Sequence, residues 1–127
     1  MIRTIDGILL SSFDAKKLSA FYRDTVGLKI TMEAEMGDKG DKVYGFGLKS
    51  GPDFVVMDHS TVTGANKQPQ RYIINFEVDD IEAEVKRLKK AKVRLIADIY
   101  HIEGYGRVAT FEDPDGNYFQ FVQIRAN

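Results

Sequence analysis

Glu77 is the side chain best suited to acid–base chemistry in this sequence. It lies in Tyr72 to Val78, an apolar run with strand character. Side chains two apart in a strand share a face, so Ile73, Asn75 and Glu77 project to one side and Ile74, Phe76 and Val78 to the other. A carboxylate so placed can serve as a general base. A second strand, Tyr118 to Ile124, puts Tyr118, Gln120 and Val122 on one side and Phe119 and Phe121 on the other. In the first strand, Ile5 to Ser12, Gly7, Leu9 and Ser11 face away from Ile8 and Leu10. Structural roles stand beside these. Glu77 can pair with Arg71 or Arg107, Gln120 can satisfy a neighbouring backbone group, Asn75 can be a structural hydrogen-bonder, and Tyr118 can be core.

Other chemistries find little support. There is no cysteine, which removes disulfides, thiol nucleophiles and thiolate metal sites. The two histidines, His59 and His101, both read as exposed loop residues. No Ser-centred nucleophile elbow, P-loop or dinucleotide fingerprint occurs. The pairs Gly37/Gly40 and Gly45/Gly47 lack the helix a phosphate site would use. In His101 to Gly106, Tyr105 is flanked by glycines, as expected for a loop over a site or for a plain surface turn. The segment from Met36 to Asp41 reads as a solvated loop or hairpin tip.

The elements that would position these residues repeat. After the first strand, Asp14 offers an N-cap, Leu18, Phe21, Tyr22 and Val26 follow at helical spacing, and Gly27 ends the helix. Strands are expected over 28–35, 42–49 and 54–58. Residues 60–70 collect Gly, Pro, Asn, Gln and Thr and read as a linker. The order then restarts: strand 72–78, a helix capped by Asp79 and Asp80 with Ile81, Val85 and Leu88 on its apolar face, and strands over 93–99, 106–111 and 118–124. Asp113-Pro114-Asp115-Gly116-Asn117 is tight-turn chemistry between the last two. The chain thus reads as β-α-β-β-β twice, an α+β protein with a mixed or antiparallel sheet and helices on one face.

Composition bounds the partners. The 127 residues carry 18 bases and 19 acids, a formal net charge of −1, which gives no reason to expect nucleic acid. The cluster of lysines within Lys86 to Lys92 suits a helix C-terminus. No signal peptide or membrane-length apolar run is evident, so no membrane partner is expected, and the cytoplasm is the expected compartment.

Four features, in order, resemble the vicinal oxygen chelate superfamily, which includes glyoxalase I, extradiol dioxygenases, and fosfomycin and bleomycin resistance proteins. They are the first strand with Asp14, Phe21-Tyr22 and Gly27-Leu28; the junction Phe76-Glu77-Val78-Asp79-Asp80; Gly106 with Val108 to Phe111; and Asp113-Pro114-Asp115-Gly116-Asn117. The resemblance implies one domain, 1–127, of paired βαβββ modules (about 5–59 and 71–125, linker about 60–70). These would form a curved mixed sheet, helices outside and a cleft inside, in a homodimer. Metal-using members hold a divalent cation with His or Glu on cleft-facing strand positions, which align with Gly7, Ile73 and Gln120 here. The first two carry no ligating atom and the third only an amide, so neither metal nor other cofactor is expected.

The expected cleft lining combines apolar and aromatic surface with a few polar groups, the make-up of a small-molecule pocket. Its ligand-binding candidates are Ser11, Asn75, Glu77, Tyr105, Tyr118 and Gln120. The leading expectation is a metal-free protein that sequesters a small, partly aromatic ligand, as bleomycin-resistance proteins do. The alternatives are a lyase, isomerase or dioxygenase-like enzyme with a rearranged metal site or Glu77 as base, and a structural or interaction module with a filled cleft.

Overall fold

Apolar alternation and well-capped helices produce the expected element order twice over in the structure, a computed structural model that describes residues 1–124. The chain divides into two compact units, Met1–Gly64 and the segment from Ala65 onward. The first holds β1 (Gly7–Ser12), α1 (Ala15–Ala20), a π-helical turn (Phe21–Val26), β2 (Lys29–Met36), β3 (Asp41–Gly47) and β4 (Asp53–Asp58). The second holds β5 (Ile74–Glu77), α2 (Ile81–Lys90), β6 (Arg94–Ile102), β7 (Gly106–Glu112) and β8 (Tyr118–Gln123). Each builds a four-stranded mixed sheet, ordered β1-β4-β3-β2 and β5-β8-β7-β6. The first strand of each pairs parallel with the last, and the other pairings are antiparallel. No described helix is long and apolar enough to cross a membrane.

Aromatic residues fill the space between helix and sheet. In the first unit Tyr22 meets Phe54 edge-on at 5.2 Å between ring centroids, and Phe54 stacks on Phe46 at 5.5 Å. In the second, Phe119 lies 6.2 Å from Phe76, 5.8 Å from Phe111 and 5.9 Å from Phe121. Ile81, Val85 and Leu88 of α2 are buried, as the helical spacing predicts. Burial of side chains this large contributes about 1.5–3 kcal/mol each.

The helix starts are fixed in parallel ways. Asp14 accepts from the Lys17 amide and Asp80 from the Ala83 amide, both at 3.1 Å. In addition, a residue at the end of each unit's last strand accepts from the first helical amide. Asp58 Oδ1 takes Ala15 N at 2.8 Å, and Gln123 Oε1 takes Ile81 N at 2.9 Å. The two halves therefore repeat a tertiary contact as well as an element order. The expected single first helix widens after Ala20 into the π-helical turn. It ends where the Gly27 and Leu28 amides both donate to the Tyr22 carbonyl, at 3.0 and 2.9 Å.

Asp113 organises the β7–β8 turn. Its buried carboxylate accepts from the amides of Asp115 and Asn117 at 2.9 and 3.0 Å and from Asn117 Nδ2 at 3.0 Å. The Asp113 amide donates to the Asn117 carbonyl at 2.8 Å. Gly116 has φ of 82°, and a Cβ there would stand 3.2 Å from the Asn66 carbonyl. The linker's second half is seated on this turn. Asn66 N donates to the Asp115 carbonyl at 2.7 Å, Asn66 Nδ2 to Asn117 Oδ1 at 3.0 Å, and Pro69 is buried. Polar composition suggested a plain linker over 60–70, but its amides find partners in the turn.

Other boundaries shift as well. β5 begins at Ile74, so Tyr72 and Ile73 precede the strand. β6 runs on to Ile102 and pairs it with Gly106, so His101 to Gly106, read as a loop over a site or a plain surface turn, is a tight hairpin turning at 103–105. Gly106, at φ 150°, lets the start of β7 lie close against the end of β8, since a Cβ there would run into the Gln123 carbonyl.

Asp113→Ala should lower the free energy of unfolding by about 3 kcal/mol, because buried donors lose a charged acceptor. Urea titration followed by circular dichroism measures this. A loss under about 1 kcal/mol would show that the turn holds without the carboxylate.

Candidate functional site

Strand register decides which side chains stand together. In the second unit, the side of the sheet away from α2 carries successive rows. Asn75 of β5 pairs with Gln120 of β8, Gln120 with Thr110 of β7, and Thr110 with Ala97 of β6. The next row is Glu77, Val122, Val108 and Tyr100. On the other flank Tyr118 pairs with Glu112, and Glu112 with Arg94. Five of the six residues singled out from the sequence therefore belong to one unit. Asn75, Glu77, Tyr118 and Gln120 share a sheet face, and Tyr105 joins them from the β6–β7 turn. Ser11 belongs to the first unit, where it pairs with Met57 on the side of β1 that also carries Leu9.

The polar row is internally bonded. Gln120 Nε2 donates to Thr110 Oγ1 at 2.8 Å. Asn75 Nδ2 donates to Tyr105 Oη at 3.3 Å. The Tyr105 side chain thus reaches from the hairpin toward β5 over the row that holds Val108 and Val122. Each hydroxyl, having accepted, keeps its own proton for another partner, and each amide keeps its carbonyl oxygen. Val122 lies on the expected face but is buried, so it offers little contact surface. Tyr118 and Gln120 are half-buried, while Asn75, Glu77, Tyr100 and Tyr105 are exposed.

Glu77 has neither expected partner. Arg107 donates to Glu82 Oε1 at 2.8 Å and to Gln123 Oε1 at 3.2 Å. Arg71 Nε donates to Gln68 Oε1 at 2.6 Å. No ion pair to Glu77 forms among the described residues. Its carboxylate borders an open hollow of about 520 Å³, lined also by Val78, Asp79, Asp80, Arg107, Gln123 and Ile124. That hollow lies at the start of α2 and excludes the Asn75–Gln120–Thr110 row. Within β6, Lys89 Nζ at 2.7 Å and the Ile99 amide at 2.8 Å hold the Asp98 carboxyl below the usual carboxylate range.

The residues present do not fit a divalent cation at the three positions the resemblance points to. Gly7 and Ile73 offer no donor atom, and the Gln120 amide nitrogen is engaged by Thr110. Among the described residues no three of His, Asp and Glu converge. His59 lies in the first unit, with Nδ1 2.8 Å from Thr61 Oγ1. His101 is exposed on β6, in register with Arg107.

Thr110 and Tyr100 were missed by the sequence reading. Counting back from the Asp113 turn would have put Thr110 opposite Gln120. Tyr100 was hidden by the irregular pairing of β6 between Ala97 and Tyr100, which breaks simple alternation.

Residues 4–121 match the family model described as the Glyoxalase/Bleomycin resistance protein/Dioxygenase superfamily. The mitochondrial methylmalonyl-CoA epimerase of Mus musculus is 31% identical over 109 residues, covering 80% of this chain. The chain spans 60% of the length of that curated relative. Among solved structures, a glyoxylase/bleomycin resistance protein/dioxygenase domain from Frankia sp. EAN1pec is similar at a TM-score of 0.78 and 16% identity, covering 98% of this chain and 100% of the other. An antibiotic-binding protein from Streptomyces sp. CB03234 is similar at a TM-score of 0.76 and 24% identity, covering 98% of each.

Thr110→Val should cost about 1 kcal/mol in chemical denaturation, since it removes a buried hydroxyl and the Gln120 partner. Asn75→Ala should stay within about 0.5 kcal/mol, as its bond is exposed. Equal losses from the two would contradict this ordering of the polar row.

Proposed function

The chain belongs to the Glyoxalase/Bleomycin resistance protein/Dioxygenase superfamily, and we propose that it is a small-molecule-binding member that sequesters a small, partly aromatic ligand without metal or covalent chemistry. One observation carries this reading. Asn75, Gln120, Thr110 and Tyr105 form paired amides and hydroxyls on a single sheet face, with Tyr100 and Tyr118 on the same face. Hydrogen-bonding groups held in place among aromatic surface are what a small-molecule site requires. The Streptomyces neighbour is described as antibiotic binding, an example of this fold holding such a molecule; its identity carries the fold, and the ligand class rests on this chain's own residues. A single domain of two modules, a cytoplasmic location and a homodimer belong to the same reading. Exposed Leu9, Phe13 and Met32 supply apolar surface that a second copy can cover.

A second reading is an isomerase with Glu77 as general base. The epimerase relative favours it, as does a Glu77 carboxylate with no ion pair among the described residues. Against it, among the described residues the only cation on this sheet face is Arg94, which donates to Glu112 at 3.0 Å, and Arg107 beside the Glu77 hollow is held by Glu82 and Gln123.

Planar aromatic compounds screened by thermal shift should include some that raise Tm. The Asn75→Ala, Gln120→Ala double variant should bind them about tenfold more weakly. No shift with any compound, or a stoichiometric divalent metal in protein purified without a tag, would overturn the binding reading. If the isomerase reading holds, Glu77→Gln should cut solvent-deuterium exchange into methylmalonyl-CoA by about 10²–10⁴-fold with affinity retained.

A further inference from the structure

We propose that the ligand of this face is a cation, an aromatic molecule bearing a protonated amine or amidine; this rests on the binding reading above and adds the sign of the ligand's charge. The neutral groups do not choose a charge. Asn75, Gln120 and Tyr105 each offer both donors and acceptors after their bonds to one another and to the buried Thr110 are made. The choice falls to the formal charges, and these are one-sided. Glu77 stands two residues from Asn75 on the same face of β5, about 7 Å along the strand. It has no ion pair.

Among the described residues, the cations of the second unit are engaged elsewhere or lie off this face. Arg94 is held by Glu112, Arg107 by Glu82 and Gln123, Arg71 by Gln68, Arg87 by Glu84 and Lys89 by Asp98. Lys86, Lys90 and Lys92 lie on or just after α2, which packs on the opposite side of the sheet, and Lys67 lies in the linker. A bound carboxylate or phosphate would therefore meet Glu77, and the one described cation that borders the same hollow, Arg107, is already held by Glu82 and Gln123. A bound ammonium would gain a charge-assisted hydrogen bond.

A second, independent observation has the same sign. Tyr100 and Tyr105 are 42% and 41% exposed, on a face whose one cation among the described residues, Arg94, is bonded to Glu112. Aromatic faces attract cations and repel anions through the ring quadrupole. The carboxylate and the rings thus select together for a positively charged ligand, and the amide–hydroxyl pairs orient its planar part.

Three acridines of matched size separate the outcomes: 9-aminoacridine as the cation, 9-methylacridine as the neutral form and acridine-9-carboxylate as the anion. Binding is read by fluorescence titration at pH 7 and low salt, with wild-type protein and with Glu77→Gln. The cation should bind about tenfold or more tightly than the anion, the worth of one charge-assisted hydrogen bond. Glu77→Gln should remove most of that preference while the neutral probe binds unchanged. Equal affinity for all three probes would overturn the cation proposal and leave the binding reading intact. A preference that survives Glu77→Gln would also overturn it, since another group would then set the sign. No binding by any probe, with the Asn75→Ala, Gln120→Ala variant indistinguishable from wild type, would count against both.

Discussion

The Asp113 carboxylate is the constraint on which the second sheet depends. It accepts two amides and an amide side chain within one five-residue turn, and so closes β7 onto β8 in a single register. A slip of one residue would send every side chain of β8 to the opposite face. Phe119 and Phe121 would leave the core, and Gln120 would lose Thr110. The same turn seats Asn66, so the path of the chain into the second unit is tied to it. Packing and site geometry therefore share one cause.

A second constraint is repeated in both units. Each helix begins beside the end of the last strand, and a side chain there accepts from its first amide: Asp58 for α1, Gln123 for α2. Free amides at a helix start need acceptors, and this contact supplies one while fixing helix against sheet. Asp58 also accepts from the Lys42 amide at 2.8 Å, which links β3 to the same point. Gln123 also accepts from Arg107, whose guanidinium continues to Glu82. That network engages Arg107, which borders the same hollow as Glu77, and among the described residues no ion pair to Glu77 forms.

Much of the fold was legible because its signals are local. Asp14 and Asp80 as caps, the apolar stripe of α2, the Asp-Pro-Asp-Gly-Asn turn and the alternation in β8 follow from short-range chemistry. Boundaries were less legible. Nothing local told that β5 starts at Ile74 rather than Tyr72, because apolar residues continue upstream while the pairing with β8 begins at Ile74. The segment after β6 read equally as a loop over a site or a plain surface turn because its glycines suit either form; the pairing of Ile102 with Gly106 decides for a tight hairpin turn. The linker looked featureless because its partners, Asp115 and Asn117, lie about fifty residues away.

By itself the sequence determined the repeated βαβββ order, the residues that face each helix, and the lack of ligating atoms at Gly7 and Ile73. These depend on side-chain type and on periods of two and 3.6, which need no distant partner. Tertiary structure alone decided which polar groups hold one another. Thr110 became the partner of Gln120, Tyr105 that of Asn75, and Glu82 rather than Glu77 that of Arg107. Those choices depend on strand order and register across residues up to thirty positions apart, and no local pattern in the chain encodes them.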